Sequence, residues 1–120
     1  MKIKIYNSLT NKVEDFVPIK EGEVSMYVCG PTVYNYPHIG NMRPVVVFDT
    51  LRRFFEYVGY KVTYVSNFTD VDDKVIKEAK KENKTEKELT DFYINEFKKV
   101  TTEIGSLLPN ITPRVTEYIQ

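Results

Sequence analysis

The chain has 120 residues, 42% of them hydrophobic and 28% charged, a size and composition typical of one soluble globular domain. Seventeen acidic and seventeen basic residues leave no formal net charge, which argues against a bulk electrostatic attraction to nucleic acid. No apolar run approaches the ~20 residues of a membrane span, and a single cysteine excludes an internal disulfide. The N-terminus lacks the apolar core of a signal peptide, so we expect no membrane partner and a cytoplasmic location.

Strand-forming residues dominate the first part of the chain. Residues 2–6 and 13–18 are such runs, and the Asn, Ser and Thr residues between them predict a β-hairpin within segment 1–23. Residues 24–29 are mostly apolar and end at a Gly-Pro pair, which predicts a parallel strand covered on both faces.

A loop, a helix and a second strand follow. Residues 31–41 contain two prolines and a glycine, which is typical of a loop. Apolar residues at helical spacing predict a helix from near Met42 to Gly59, with a proline in its first turn. Residues 60–66 are rich in β-branched and aromatic side chains and predict the next strand. Together these elements predict a right-handed βαβ unit over residues 24–70.

The last part of the chain, residues 71–120, is expected to be a helical segment. Two charged helices are predicted over residues 72–82 and 86–104, and Thr112 is placed to cap a final short helix. The predicted fold class is therefore α/β, with a parallel sheet, flanking helices and a short N-terminal β-hairpin.

Candidate functional residues follow the two predicted parallel strands. In open α/β sheets, ligands bind beyond the carboxyl ends of the strands. Cys29 and Thr69 lie at those ends, and loop 31–41 lies above the same edge. The sequence therefore predicts one crevice in which these three features converge.

Cys29 allows two interpretations. Most free cysteines are small buried hydrophobes, but this one stands at a strand end beside a Gly-Pro pair. A thiolate at such a place is a good zinc ligand, although zinc usually takes three or four protein ligands. Cys29 alone therefore cannot close a zinc site.

The sequence His38-Ile39-Gly40-Asn41 also allows two interpretations. It is either an ordinary surface loop that starts a helix or a phosphate-facing turn. Backbone N–H groups at a helix N-terminus attract anions, and histidine can donate a hydrogen bond to a phosphate oxygen. Gly40 lets a flat base approach the backbone, and Asn41 can donate further hydrogen bonds. Since neither a phosphate-loop lysine motif nor a dinucleotide fingerprint is present, a nucleotide must be held in another way.

Thr69 and Asp70 are the third candidate site. One of them caps the following helix, or one of them binds a substrate ammonium group or a ribose hydroxyl. Asp72 and Asp73 are explained by the dipole of that helix.

The ordered set of motifs resembles cysteinyl-tRNA synthetase. Residues 26–34 (Met-Tyr-Val-Cys-Gly-Pro-Thr-Val-Tyr), residues 37–41 (Pro-His-Ile-Gly-Asn) and residues 67–74 (Asn-Phe-Thr-Asp-Val-Asp-Asp-Lys) carry the resemblance. It extends over essentially the whole chain.

The resemblance implies a class I aminoacyl-tRNA synthetase with a Rossmann-like catalytic domain. Such an enzyme uses ATP with Mg²⁺ to activate L-cysteine as cysteinyl-adenylate and passes the cysteinyl group to tRNA(Cys), while a zinc ion binds the substrate thiol. It implies a zinc-ligand role for Cys29 and catalytic roles for His38 and Asn41. The implied cysteine-binding residues are Cys29, Gly30, Thr32 and Thr69. The implied ATP-binding residues are Pro31, His38, Gly40 and Asn41.

Two departures from the family pattern qualify the resemblance. Asn41 stands where the "HIGH" motif ends in histidine, and the remaining zinc ligands, the "KMSKS" loop and the anticodon-binding part are not within these residues. The resemblance thus implies an N-terminal piece of the catalytic domain of a monomeric enzyme, inactive by itself. Two alternatives remain open, the cysteine ligase of mycothiol synthesis and a non-catalytic binding domain derived from a synthetase.

Overall fold

The computed structural model describes residues 2–120 and has the predicted α/β architecture. Its elements in chain order are strands β1 (Lys4–Asn7), β2 (Lys12–Asp15) and β3 (Glu23–Val28), helix α1 (Ile39–Tyr57), strand β4 (Lys61–Ser66), helices α2 (Asp73–Glu82) and α3 (Glu86–Glu103), and a 3-10 turn (Val115–Glu117). Strands β1 and β2 form an antiparallel hairpin, and β3 pairs in parallel with β4. The fold class predicted from the sequence is therefore confirmed.

Helix α1 begins three residues earlier than predicted. Its first residue is Ile39 rather than Met42, because His38 caps the helix with its side chain. Pro44 consequently lies in the second turn, whereas the sequence predicts it in the first. Since proline has no N–H, the carbonyl of Gly40 receives no helical hydrogen bond from position 44.

Residues 110–115 add a third extended segment beside β4. Ser66 N donates to Ile111 O at 3.1 Å and Phe68 N donates to Pro113 O at 2.9 Å, both in parallel register. The prediction that Thr112 caps a final helix is wrong, because the ladder with β4 continues past it. The short 3-10 turn begins only after Arg114.

Two apolar clusters hold the layers together. One joins the β3–β4 sheet to α1 and to the N-terminal hairpin, and its buried members are Val24, Phe55 and Val62. The other joins the loop after β3 and the end of β4 to the α2–α3 pair, and its buried members are Val33, Phe68, Val75, Ala79, Leu89, Tyr93 and Ile94. The loop that carries the candidate site is thus anchored to the second cluster by Val33.

Polar side chains of α1 fix the segment that follows α3. Asp49 is buried, and its Oδ1 accepts a hydrogen bond from Leu107 N at 2.9 Å. Arg52 is also buried and donates from Nη1 to Leu108 O at 2.9 Å. These bonds hold residues 107–109 opposite the first turns of α1, and a cleft lies between them.

Candidate functional site

The cleft has a volume of about 210 Å³ and opens at the carboxyl end of β3. Its floor is the end of the β3–β4 sheet, one wall is the start of α1, and the other wall is the second half of α3 with residues 107–109. Among residues 2–120, the lining includes five predicted site residues, namely Cys29, Gly30, Pro31, Gly40 and Asn41. His38, Thr32 and Thr69 lie at the same edge of the sheet but do not line this cleft.

Cys29 follows the last residue of β3, and its side chain is exposed. A buried small hydrophobe is therefore not what the structure shows at this position. The thiol lies on the cleft together with Gly40 and Asn41 from the start of α1. Two of the three features predicted to converge, Cys29 and the end of loop 31–41, therefore meet at this cleft, whereas Thr69 does not line it.

His38 shapes the start of α1. Its Nδ1 accepts a hydrogen bond from Gly40 N at 3.0 Å, and its own N–H donates to Asn41 Oδ1 at 2.9 Å. Because Nδ1 is an acceptor here, the proton of the neutral imidazole is on Nε2. His38 is an exposed residue, so a ligand can approach its ring. Asn41 uses its carbonyl oxygen in this capping box and keeps its amide NH₂ group for other partners.

Gly40 is needed for the His38 geometry. A β-carbon at this position would stand 2.8 Å from His38 Cε1 and 3.0 Å from His38 Nδ1. Any larger residue would displace the ring from its capping position. The absence of a side chain at Gly40 therefore leaves room for the His38 ring and leaves the backbone accessible from the cleft.

Gly30 lies against the end of β4. A β-carbon there would stand 1.6 Å from the backbone oxygen of Asn67, which no side chain tolerates. The N–H of Gly30 donates to Asn67 Oδ1 at 2.8 Å, and Asn67 Nδ2 donates to Thr69 Oγ1 at 3.2 Å. Asn67 therefore connects the residue after Cys29 to the Thr69 hydroxyl.

Thr32 and Thr69 pair across the sheet edge. Val33 N donates to Thr69 O at 3.1 Å, and Thr69 N donates to Pro31 O at 3.0 Å. This short parallel ladder continues the β3–β4 pairing into the loop. It fixes the backbone of both threonines above the strand ends.

Asp70 and Thr69 do not cap α2, so that interpretation is wrong. The cap is Asp72, whose Oδ1 accepts from Lys74 N at 2.9 Å. The buried carboxylate of Asp70 instead accepts from Thr116 N at 3.0 Å and from Thr116 Oγ1 at 2.6 Å. Asp70 therefore holds the 3-10 turn against the end of β4.

Comparison with known proteins assigns the family. The family model for tRNA synthetases class I (C) catalytic domain matches residues 15–120. The chain is 58% identical to a cysteine–tRNA ligase of Lachnoclostridium phytofermentans, over 98% of this chain and 25% of that protein. It is 57% identical to the cysteine–tRNA ligase of Lactobacillus gasseri, over 100% of this chain and 25% of that protein. The chain belongs to the cysteine–tRNA ligase family.

The family assignment confirms the resemblance found in the sequence. The relatives also show how much of a full-length ligase the chain covers. A third relative, the cysteine–tRNA ligase of Lysinibacillus sphaericus, is 55% identical over 99% of this chain and 26% of that protein. The chain thus spans about a quarter of the length of these ligases. Within residues 2–120, no helix is both long and apolar enough to cross a membrane.

The residues of this chain fit a zinc ion only in part. The exposed Cys29 thiol is a suitable zinc ligand by its chemistry. Residues 2–120, however, contain no group of three or more His, Cys, Asp or Glu side chains that could hold a metal ion. By themselves these residues therefore offer one thiol of suitable chemistry and not a complete zinc site.

Sequence reasoning missed two residues of the site. Lys98 of α3 is the single charged side chain that residues 2–120 contribute to the cleft lining, and its Nζ lies 5.8 Å from the centroid of the Phe68 ring. Asn67 was quoted within a motif but received no role. The helical spacing of α3 does not reveal Lys98, whereas an amide at the end of a parallel strand was a usable signal for Asn67.

Proposed function

We propose that this chain forms the part of a cysteine–tRNA ligase that binds L-cysteine and ATP. The ligase activates cysteine as cysteinyl-adenylate and transfers the cysteinyl group to tRNA(Cys). The observation that supports this proposal best is the shared cleft of Cys29 and the N-terminus of α1. A thiol suited to a sulfur-selecting metal and the positive end of the α1 helix dipole, which favours phosphate, thus meet at one place.

The proposed first step is nucleophilic attack by the cysteine carboxylate on the α-phosphorus of ATP. The carboxylate oxygen forms a bond to phosphorus, the bond to the β,γ-diphosphate breaks, and pyrophosphate leaves. Catalysis of such a transfer rests on positioning and on stabilisation of the charge that develops on the phosphoryl oxygens. His38 is placed to contribute, because its Nδ1 is held by Gly40 N and the residue is exposed.

The ATP-binding residues proposed on this basis are Pro31, His38, Gly40 and Asn41. Gly40 leaves the backbone bare at the cleft, and Asn41 retains an amide NH₂ group as a hydrogen-bond donor. On the opposite wall, Lys98 supplies the one positive charge that residues 2–120 contribute to the cleft. These features suit a polyanionic ligand that is accompanied by Mg²⁺.

Cysteine binding is assigned to the strand ends. Cys29 is proposed as one ligand of a zinc ion whose other ligands lie outside residues 1–120, and Gly30, Thr32 and Thr69 surround the substrate. When bound, zinc favours a thiolate over a hydroxyl group and so distinguishes cysteine from serine. This selectivity matters because an apolar pocket separates substrates of such similar shape poorly.

The proposal is tested by cysteine-dependent ATP–pyrophosphate exchange. A chimeric ligase is made in which this chain replaces the matching segment of the Lachnoclostridium relative, and the 120-residue chain is assayed in parallel. We expect exchange with cysteine in the chimera, none with serine, and none in the short chain. Absence of exchange in the chimera contradicts the proposal and favours a non-catalytic domain. The acceptor of the cysteinyl group then distinguishes the two enzymes, because the ligase transfers it to tRNA(Cys) and the mycothiol-type enzyme to an amino sugar. The molar mass of the chimera in solution tests the proposal that the enzyme is a monomer.

Cys29→Ser is expected to remove tight zinc binding from the chimeric ligase. Loss of a side chain that hydrogen-bonds to a metal ligand costs about 10–100-fold in metal affinity, so loss of a direct ligand is expected to cost at least about 100-fold. The measurement is zinc content by atomic emission after dialysis, together with the ratio of cysteine to serine activation. Ser25→Ala, at an exposed position of β3, is the control and should keep its zinc. Unchanged zinc content in Cys29→Ser contradicts the assignment.

A further inference from the structure

Asn67 makes two side-chain hydrogen bonds at the carboxyl end of β4. Its Oδ1 accepts from Gly30 N at 2.8 Å, and its Nδ2 donates to Thr69 Oγ1 at 3.2 Å. We propose that Asn67 is a positioning residue of the cysteine subsite, which orients the Thr69 hydroxyl so that its hydrogen points to the substrate. This inference rests on the proposed function.

The orientation of the Asn67 amide follows from its partners. A backbone N–H can only donate, so the amide atom that faces Gly30 is the oxygen. The NH₂ group therefore faces Thr69, and the reversed amide would place two donors against each other. Chemistry thus fixes which end of the side chain contacts the threonine.

The consequence for Thr69 concerns its hydroxyl hydrogen. A hydroxyl has one hydrogen to donate and two lone pairs, and Asn67 occupies one of the lone pairs. The hydrogen is then left for another acceptor. Since the backbone of Thr69 is held by Pro31 O and Val33 N, the hydroxyl is presented at a fixed place beside the strand ends. It suits an acceptor oxygen of the amino-acid substrate.

Asn67 also fixes the other side of the subsite. Its backbone oxygen lies where a β-carbon of residue 30 would stand, and its side chain holds the N–H of the same residue. Asn67 therefore contacts the peptide that follows Cys29 in two separate ways. One residue thus sets the spacing between the Cys29–Gly30 peptide and the Thr69 hydroxyl.

Asn67→Asp tests this role with little change of shape. The aspartate keeps an oxygen acceptor for Gly30 N but replaces the amide donor, so the Thr69 hydroxyl must turn to donate to it. We expect the KM for cysteine in the chimeric ligase to rise about tenfold, the equivalent of one hydrogen bond, while the KM for ATP changes less than about twofold. The melting temperature reports whether the fold is retained.

A double-mutant cycle with Thr69→Val tests whether the rise in the cysteine KM of Asn67→Asp comes from lost positioning of the Thr69 hydroxyl or from another cause. If Asn67 acts through the Thr69 hydroxyl, Asn67→Asp has no further effect on the cysteine KM once that hydroxyl is absent. Simple repulsion between the new carboxylate and the substrate persists without the hydroxyl, so additive effects overturn the inference. An unchanged cysteine KM in Asn67→Asp overturns it as well. Loss of exchange in the unsubstituted chimera instead contradicts the proposed function itself.

Discussion

Replacing Gly30 with alanine is expected to destabilise the chain by at least about 4 kcal/mol, a loss that few single substitutions reach. The added β-carbon would stand 1.6 Å from Asn67 O, a backbone atom that cannot rotate away. The peptide must therefore shift, and the hydrogen bond from Gly30 N to Asn67 Oδ1 is lost with it. Thermal and urea unfolding of the chain, followed by circular dichroism, measures the loss.

Gly22→Ala is the matched control for this substitution. Gly22 has a left-handed φ of 74°, yet its β-carbon position has no atom within 4 Å. Gly22→Ala is therefore expected to lower the free energy of unfolding only by the backbone strain of alanine in that conformation, about 1 kcal/mol. Equal losses of stability in the two variants would contradict the close approach of Gly30 to Asn67.

The βαβ unit could be predicted because its signals are local. The strand that ends at Val28, the apolar stripe of α1 and the β-branched run of β4 each lie within a few consecutive residues. The start of α1 was misplaced because histidine is not among the usual N-cap residues, although it fills that place here. The statistical preference for N-cap residues therefore does not predict the histidine that caps α1.

The third extended segment could not be found from local patterns. Residues 110–115 include β-branched residues, but Pro113 interrupts the run, and their strand character comes from pairing with β4. Such pairing depends on distant contacts and not on propensity. The same limit explains Thr112, which has the chemistry of a cap but lies inside a ladder.

The site was predictable to the extent that it lies at strand ends. Cys29 and Gly40 meet on the cleft because β3 ends, and the crossover helix α1 begins, at the same edge of the parallel sheet. Lys98 comes from the middle of a charged helix, where nothing in the sequence separates a cleft residue from a solvated one. Its place on the cleft wall is set by how α3 packs against the sheet.

His38 is expected to carry the largest effect on the reaction. In the chimeric ligase, His38→Ala should lower kcat for cysteine-dependent exchange about 100-fold, the usual cost of losing one donor to a developing charge. The KM for cysteine should stay nearly unchanged, because the imidazole is assigned to the phosphates and not to the amino acid. Steady-state exchange kinetics measures both constants.

The alanine variant alone does not separate chemistry from capping. His38 Nδ1 caps α1 through Gly40 N, so alanine also removes a cap worth about 1 kcal/mol. Asparagine is among the best N-cap residues, and its oxygen can accept from Gly40 N, but its side chain is too short to replace Nε2–H. His38→Asn should therefore keep the melting temperature and still lose about 100-fold in kcat.

The pair of variants distinguishes two roles that the structure combines in one ring. A phosphate-facing imidazole predicts that His38→Ala and His38→Asn are equally slow and differ only in stability. A purely structural His38 predicts that the asparagine variant, with its helix cap intact, exchanges at the rate of the unsubstituted chimera. Recovery of kcat by His38→Asn would contradict the catalytic role and leave His38 as the cap that starts α1 at Ile39.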